Sequence, residues 1–110
     1  MFLYELAKNG QNVDVYFKGD LDIEATEAME AMFQEIRCFH TVSFDLSAVP
    51  FVDSTGIGLL VHFIDALKED GKQVMIFGIQ PEVNEVFRIV QLEEILGVPM
   101  FCQSRGDQLE

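Results

Sequence analysis

The sequence predicts a single α/β domain, built as a mixed, mostly parallel sheet of four to five strands packed with helices in the order ββαβαβαβ. Three observations predict it. A tight-turn signal, Asn9-Gly10, separates two apolar segments near the start of the chain. Beyond it, segments of helical and of strand periodicity alternate, which implies parallel neighbours joined by right-handed crossovers. The chain has 110 residues and is 49% hydrophobic, the size and apolar content of one core.

The elements follow in order. Phe2 to Leu6 is a short apolar run, and beyond Asn9-Gly10 the residues Val13, Val15 and Phe17 alternate with Asp14, Tyr16 and Lys18, which together predict a β-hairpin. From Glu24 to Ile36, Ala25, Met29, Met32, Phe33 and Ile36 fall on helical spacing with Glu24, Glu27, Glu30 and Glu35 between them, predicting an amphipathic helix with an acidic outer face. Val42, Phe44 and Leu46 alternate with Thr41, Ser43 and Asp45, a strand that ends near Ser47 and Pro50.

Gly56, Leu60, Phe63, Ile64 and Leu67 then recur at helical spacing as far as Asp70-Gly71, so a second helix is expected from Thr55 to Glu69. Val74 to Ile79 is nearly continuously apolar and predicts a central strand covered on both faces. Pro81 suits the first turn of a third helix with Val83, Val86, Phe87 and Val90 inward, and Val98 to Cys102 is expected to supply a last short strand. The domain should occupy residues 1–102. The polar tail from Gln103 to Glu110 is expected to fray, and the final Leu109-Glu110 is compatible with an expression scar.

Composition narrows the function. Seven basic residues against 19 acidic ones give a net charge of -12. Such a surface repels phosphate backbones and anionic membranes, so no nucleic acid is expected as a partner; it favours a protein carrying a basic patch, though it also serves solubility. Met1 to Leu6 is not a secretory leader and no apolar stretch approaches the length of a membrane span, so a cytoplasmic protein without direct membrane insertion is expected. Cys38 and Cys102 stand far apart, without CxxC spacing or clustered histidines, so neither a zinc site nor a disulfide is supported and both thiols are expected to be buried. No deep substrate pocket is expected of a domain this small, and no cofactor or metal is expected, because no acidic pair converges with histidines and no phosphate-binding motif is present.

The informative segment is Phe51-Val52-Asp53-Ser54-Thr55-Gly56-Ile57-Gly58-Leu59-Leu60, where a strand-like run passes through small polar residues into a helix. Asp53 or Ser54 can cap the orphan N–H groups of that helix, and Gly56 and Gly58 permit close approach of its first turn to neighbouring backbone. A phosphate-cradling loop does not fit, since the third glycine of GxGxxG would fall on Val61 and no lysine lies between Lys18 and Lys68. Serine hydrolase chemistry does not fit either: Val52 stands where an elbow glycine belongs, and His62, seven residues after Thr55, is about 10 Å down the helix axis. The acidic pairs Asp20/Asp22, Glu69/Asp70 and Glu93/Glu94 read as solvated surface. What the Thr55 hydroxyl can do is accept a phosphoryl group from a kinase, which adds about -1.5 to -2 charges beside Asp53 and opposes docking of a partner shaped for a neutral hydroxyl.

Two motifs, Gly19-Asp20-Leu21-Asp22 and Asp53-Ser54-Thr55-Gly56-Ile57-Gly58, the second preceded by the strand end Asp45-Leu46-Ser47, give the chain from Phe2 to Cys102 a resemblance to the STAS domains of bacterial anti-sigma factor antagonists. That resemblance implies a non-enzymatic module of the STAS fold, and the chain is expected to be a monomer. It implies regulatory phosphorylation at Thr55, with Ser54 beside it as the second candidate, and partner contacts through Asp20, Leu21, Asp22, Asp53, Ser54, Thr55, Gly56 and Ile57. The implied partners are an anti-sigma factor serine/threonine kinase, bound in the unphosphorylated state, and a PP2C-type phosphatase that reverses the modification. Other members of the family bind the ATPase of a lipid-exporting ABC transporter, which is the alternative output. Threonine at position 55 departs from the serine of the simplest antagonists.

Overall fold

The hairpin forms where the Asn9-Gly10 signal stands: β1 (Leu3–Asn9) and β2 (Asn12–Lys18) pair antiparallel in register from Leu3↔Lys18 to Asn9↔Asn12. Gly10 takes φ 62 at the turn, a conformation glycine adopts without a Cβ penalty. The computed structural model describes residues 1–103. After a 3₁₀ turn (Ile23–Ala25) come α1 (Thr26–Ile36), β3 (Thr41–Ala48), α2 (Ser54–Glu69), β4 (Gln73–Phe77), α3 (Pro81–Ile89) and α4 (Leu92–Leu96). The sheet order is β1-β2-β3-β4, with β3 parallel to both β2 and β4.

Register decides which residues share a face. Tyr4↔Phe17, Val15↔Phe44 and Phe44↔Ile76 are direct partners, so Tyr4, Val15, Phe17, Phe44 and Ile76 line one side of the sheet. Those apolar side chains join one core cluster with Met29, Met32 and Ile36 of α1 and Leu60, Phe63, Ile64 and Leu67 of α2. Burying each such side chain contributes about 1.5–3 kcal/mol. Tyr4 adds a tie across the edge of this layer, its hydroxyl donating to the Glu35 carboxylate of α1.

At the C-terminal ends of β3 and β4 the core is polar. Asp45, 2% exposed, accepts hydrogen bonds at Oδ1 from the Ser47 N–H at 2.9 Å and the Ser47 hydroxyl at 2.6 Å. A Cβ on Gly78 would stand 2.9 Å from the same oxygen, so a glycine is needed where the chain leaves β4 over Asp45. Gln80 completes the join by donating from Nε2 to the Ser47 carbonyl at 2.8 Å.

Several expectations are corrected. The run Val74 to Ile79 is not a central strand: β4 ends at Phe77 and stands last in the ladder order. Its apolar character comes from cover on both faces, with Val74 and Ile76 in the core and the Phe77 ring stacked on Phe101 at 4.9 Å. The expected last strand at Val98 to Cys102 reduces to one parallel bridge, Ile76↔Met100, held by Ile76 N–H to Pro99 O at 3.0 Å and Phe101 N–H to Ile76 O at 2.8 Å. Pro99 has no N–H to extend a ladder, and the chain bends at Cys102. Cys38 and Cys102 are both exposed rather than buried, because one follows the end of α1 and the other follows this bridge. The short α4 was not expected, although Leu92 and Leu96 are one turn apart and Gly97, at φ 66, ends the helix. The first helix begins with a 3₁₀ turn rather than as α-helix at Glu24. The tail expected to fray, and the Leu109-Glu110 end, lie outside the described residues from position 104 onward.

Candidate protein-interaction surface

Beyond Lys18 the chain does not leave the sheet at once. The Gly19 N–H donates to Ala48 O at 3.0 Å, the Leu21 N–H donates to Phe51 O at 2.9 Å, and the Asp53 N–H donates to Leu21 O at 3.3 Å. These bonds make Leu21↔Val52 a parallel bridge that prolongs the β2/β3 pair. Leu21 and Val52 both turn into the core, at 0% and 5% exposed. Alternation sends their neighbours the other way: Asp20 and Phe51 are exposed, Asp22 and Asp53 half-buried.

Two helical segments therefore start side by side, each capped by an aspartate. Asp22 accepts the Glu24 N–H at 3.0 Å and opens the 3₁₀ turn that leads into α1, where the Thr26 hydroxyl donates to Ile23 O at 2.7 Å. Asp53, in extended conformation, accepts the Gly56 N–H at 2.9 Å and opens α2. Of the two candidates for the cap, Asp53 fills it and Ser54 is the first helical residue. Such a cap contributes about 1 kcal/mol, and a carboxylate there also complements the helix dipole. Ser54 and Thr55 are left exposed in the first turn of α2.

The first turn of α2 rests on the Leu21 backbone. A Cβ on Gly56 would lie 1.9 Å from Leu21 O, so this helix start reaches the Asp20–Asp22 segment only because position 56 has no side chain. Gly58 differs. It is exposed and helical, and beyond its own turn of helix no described atom lies within 4 Å of where its Cβ would be, so the expected close approach at Gly58 does not occur among the described residues. A glycine inside a helix costs about 0.8–1 kcal/mol relative to alanine, and nothing within the described residues offsets it.

The expected contact residues thus divide. Asp20, Ser54 and Thr55 are exposed and Asp22, Asp53 and Ile57 half-buried, all around one turn. The Leu21 side chain and Gly56 are buried, and both act by holding the two segments together. Sequence reasoning passed over Ile23 and Phe51, which are 68% and 49% exposed beside this turn. Their signal was weak: each is a large apolar residue just off the periodic pattern, Ile23 before the first helical core position and Phe51 after Pro50. His62 is an exposed helix residue whose ring meets Phe63 edge-on at 4.8 Å, well away from the Thr55 hydroxyl. Among the described residues no three His, Cys, Asp or Glu side chains are grouped to hold a metal ion, and no helix is long and apolar enough to cross a membrane. What the arrangement offers chemically is an exposed hydroxyl pair on a capped, acid-flanked turn.

Comparison with known proteins agrees with this geometry. The family model described as the STAS domain matches residues 4–105. The anti-sigma-B factor antagonist of Staphylococcus epidermidis is 34% identical over 95 residues, 86% of this chain and 82% of that protein. An anti-sigma factor antagonist from Mycobacterium paratuberculosis shares the fold at TM-score 0.81 and 18% identity, covering 99% of this chain and 92% of that one. The Bacillus cell fate determinant SpoIIAA in its phosphorylated form does so at TM-score 0.71 and 20% identity, covering 96% of each chain. The hairpin and the parallel crossovers are thus those of a known fold, and the chain belongs to the STAS domain family.

Proposed function

We propose that this protein is an anti-sigma factor antagonist of the cytoplasm, a binding module without catalytic activity. Unphosphorylated, it binds an anti-sigma factor serine/threonine kinase through the surface formed by Asp20, Asp22, Asp53, Ser54, Thr55 and Ile57, and so frees a sigma factor. Phosphorylation of Thr55 by that kinase switches it off, and a PP2C-type phosphatase restores it. The domain responsible is residues 1–102, acting as a monomer. The observation that carries this reading is the exposed Thr55 in the first turn of α2, on a segment locked to the Asp20–Asp22 loop through Leu21. The anti-sigma-B factor antagonist relative and the phosphorylated SpoIIAA structure support it by likeness.

Phosphate at that position leaves the fold intact, because the start of a helix tolerates negative charge. It changes the surface instead, placing about -1.5 to -2 charges next to Asp53 and Asp22, where a partner must otherwise close over a neutral hydroxyl. The testing experiment is capture from source-cell lysate with the wild-type chain and with Thr55→Glu as baits. Recovery of a sigma-binding kinase on wild type alone, and its labelling of wild type but not of Thr55→Ala with phosphate, is the expected result. Recovery of a transporter ATPase on both baits overturns the sigma reading while leaving the family intact.

A further inference from the structure

We propose that the kinase-contacting surface continues past Thr55 down the outer face of α2, and that Gly58 is the place where a backbone segment of the kinase packs directly against the helix. This rests on the partner-switch reading above. Thr55, Gly58 and His62 are three and four residues apart, so they form one stripe of the helix, and all three are exposed. Gly58 is the anomaly in that stripe. It has helical backbone that any residue adopts, and open space where a side chain would stand. Gly56, two residues earlier, has a reason inside the fold in the Leu21 carbonyl. Gly58 has none among the described residues, yet glycine weakens a helix more than any residue but proline. A bare patch of helix surface does one thing that any side chain prevents: it lets a second backbone come close.

The surroundings say what kind of segment fits. The stripe runs into an open groove of about 510 Å³ between α1 and α2. Its floor is the Phe33 and Phe63 rings, 5.3 Å apart, and its rim carries Glu27 and Glu30 of α1 with His62 of α2. Arg37, placed 5.7 Å over the Phe33 ring, is a single cation at one side. A partner segment that passes over Gly58 with an apolar side chain toward Phe33 and lysine or arginine toward Glu27 and Glu30 matches both the apolar floor and the acidic rim.

The test uses the full chain and the kinase recovered on the wild-type bait, purified, with affinity by titration calorimetry and stability by scanning calorimetry. For Gly58→Ala the expected result has opposite signs: the melting temperature rises by a few degrees while the Kd weakens at least tenfold, and Gly58→Leu weakens it further without lowering the melting temperature below wild type. Unchanged affinity in a stabilised Gly58→Ala overturns the footprint and leaves the Thr55 reading standing. A lowered melting temperature for Gly58→Ala overturns it too, since the glycine then serves the fold. If wild type engages no kinase in any state of Thr55, the partner-switch reading fails and the footprint fails with it.

Discussion

The Leu21 carbonyl oxygen stands 1.9 Å from the position a Gly56 Cβ would occupy, and the same oxygen accepts the Asp53 N–H at 3.3 Å. One backbone group thus fixes both the start of α2 and its distance from the Asp20–Asp22 loop, residues 32 or more positions apart in the chain. Gly56→Ala is expected to destabilise the fold by about 3 kcal/mol, because the obstacle is backbone and not a side chain that can turn aside. Urea denaturation measures it; a variant as stable as wild type would mean that the two segments separate at little cost.

Asp53 combines a hydrogen bond with a charge, and two substitutions separate them. Asp53→Ala removes the Oδ1 acceptor of the Gly56 N–H and should cost about 1 kcal/mol. Asp53→Asn keeps an acceptor and should cost a few tenths at most. If kinase binding weakens in Asp53→Asn while stability holds, the carboxylate charge is part of the contact.

Tyr4 gives a pH-dependent prediction. Its phenol is pushed up to about 12, first by its hydrogen bond to Glu35, then by burial and by the charge of that carboxylate. The folded chain therefore holds a proton that the unfolded chain releases near the ordinary tyrosine value of about 10. Stability from this pair is fully present below that value and is lost as pH rises toward 12. Unfolding measured at several alkaline pH values should show this decline, and Tyr4→Phe should flatten that part of the profile.

Gln91 links α3 to α4 in the left-handed region, at φ 57, where its carbonyl accepts from the Glu94 and Ile95 N–H groups, each at 3.1 Å. A residue with a Cβ is strained there by about 1 kcal/mol, so Gln91→Gly should raise stability by roughly that amount despite its greater unfolded entropy. Asn at the same position should recover part of the gain. No increase for either would mean that the Gln91 side chain makes a compensating contact.

How far the sequence reached can be judged element by element. Asn9-Gly10, the alternation of Val13, Val15 and Phe17, and the helical spacing of Leu60, Phe63, Ile64 and Leu67 all announced the elements observed, because turn chemistry and periodicity act within a few residues. The cap at Asp53 or Ser54 was legible for the same reason, and the two motifs were enough to indicate the family. What lay beyond was decided by contacts between distant segments. Whether Gly56 or Gly58 carried the close approach depended on where Leu21 came to rest, and the answer was Gly56 alone. An apolar run looks the same in a central strand and in β4, a last strand covered by α2 on one face and by Phe101 on the other. A cysteine looks the same in a core and at the exposed positions of Cys38 and Cys102. Sequence alone determined the hairpin, the first three helices, the strands between them, the capped turn and the presence of Thr55 on it. Tertiary structure alone decided which residues that turn stands beside, because Leu21, Val52 and Gly56 meet only when the sheet has aligned β2 with β3 and drawn the two helix starts onto one edge.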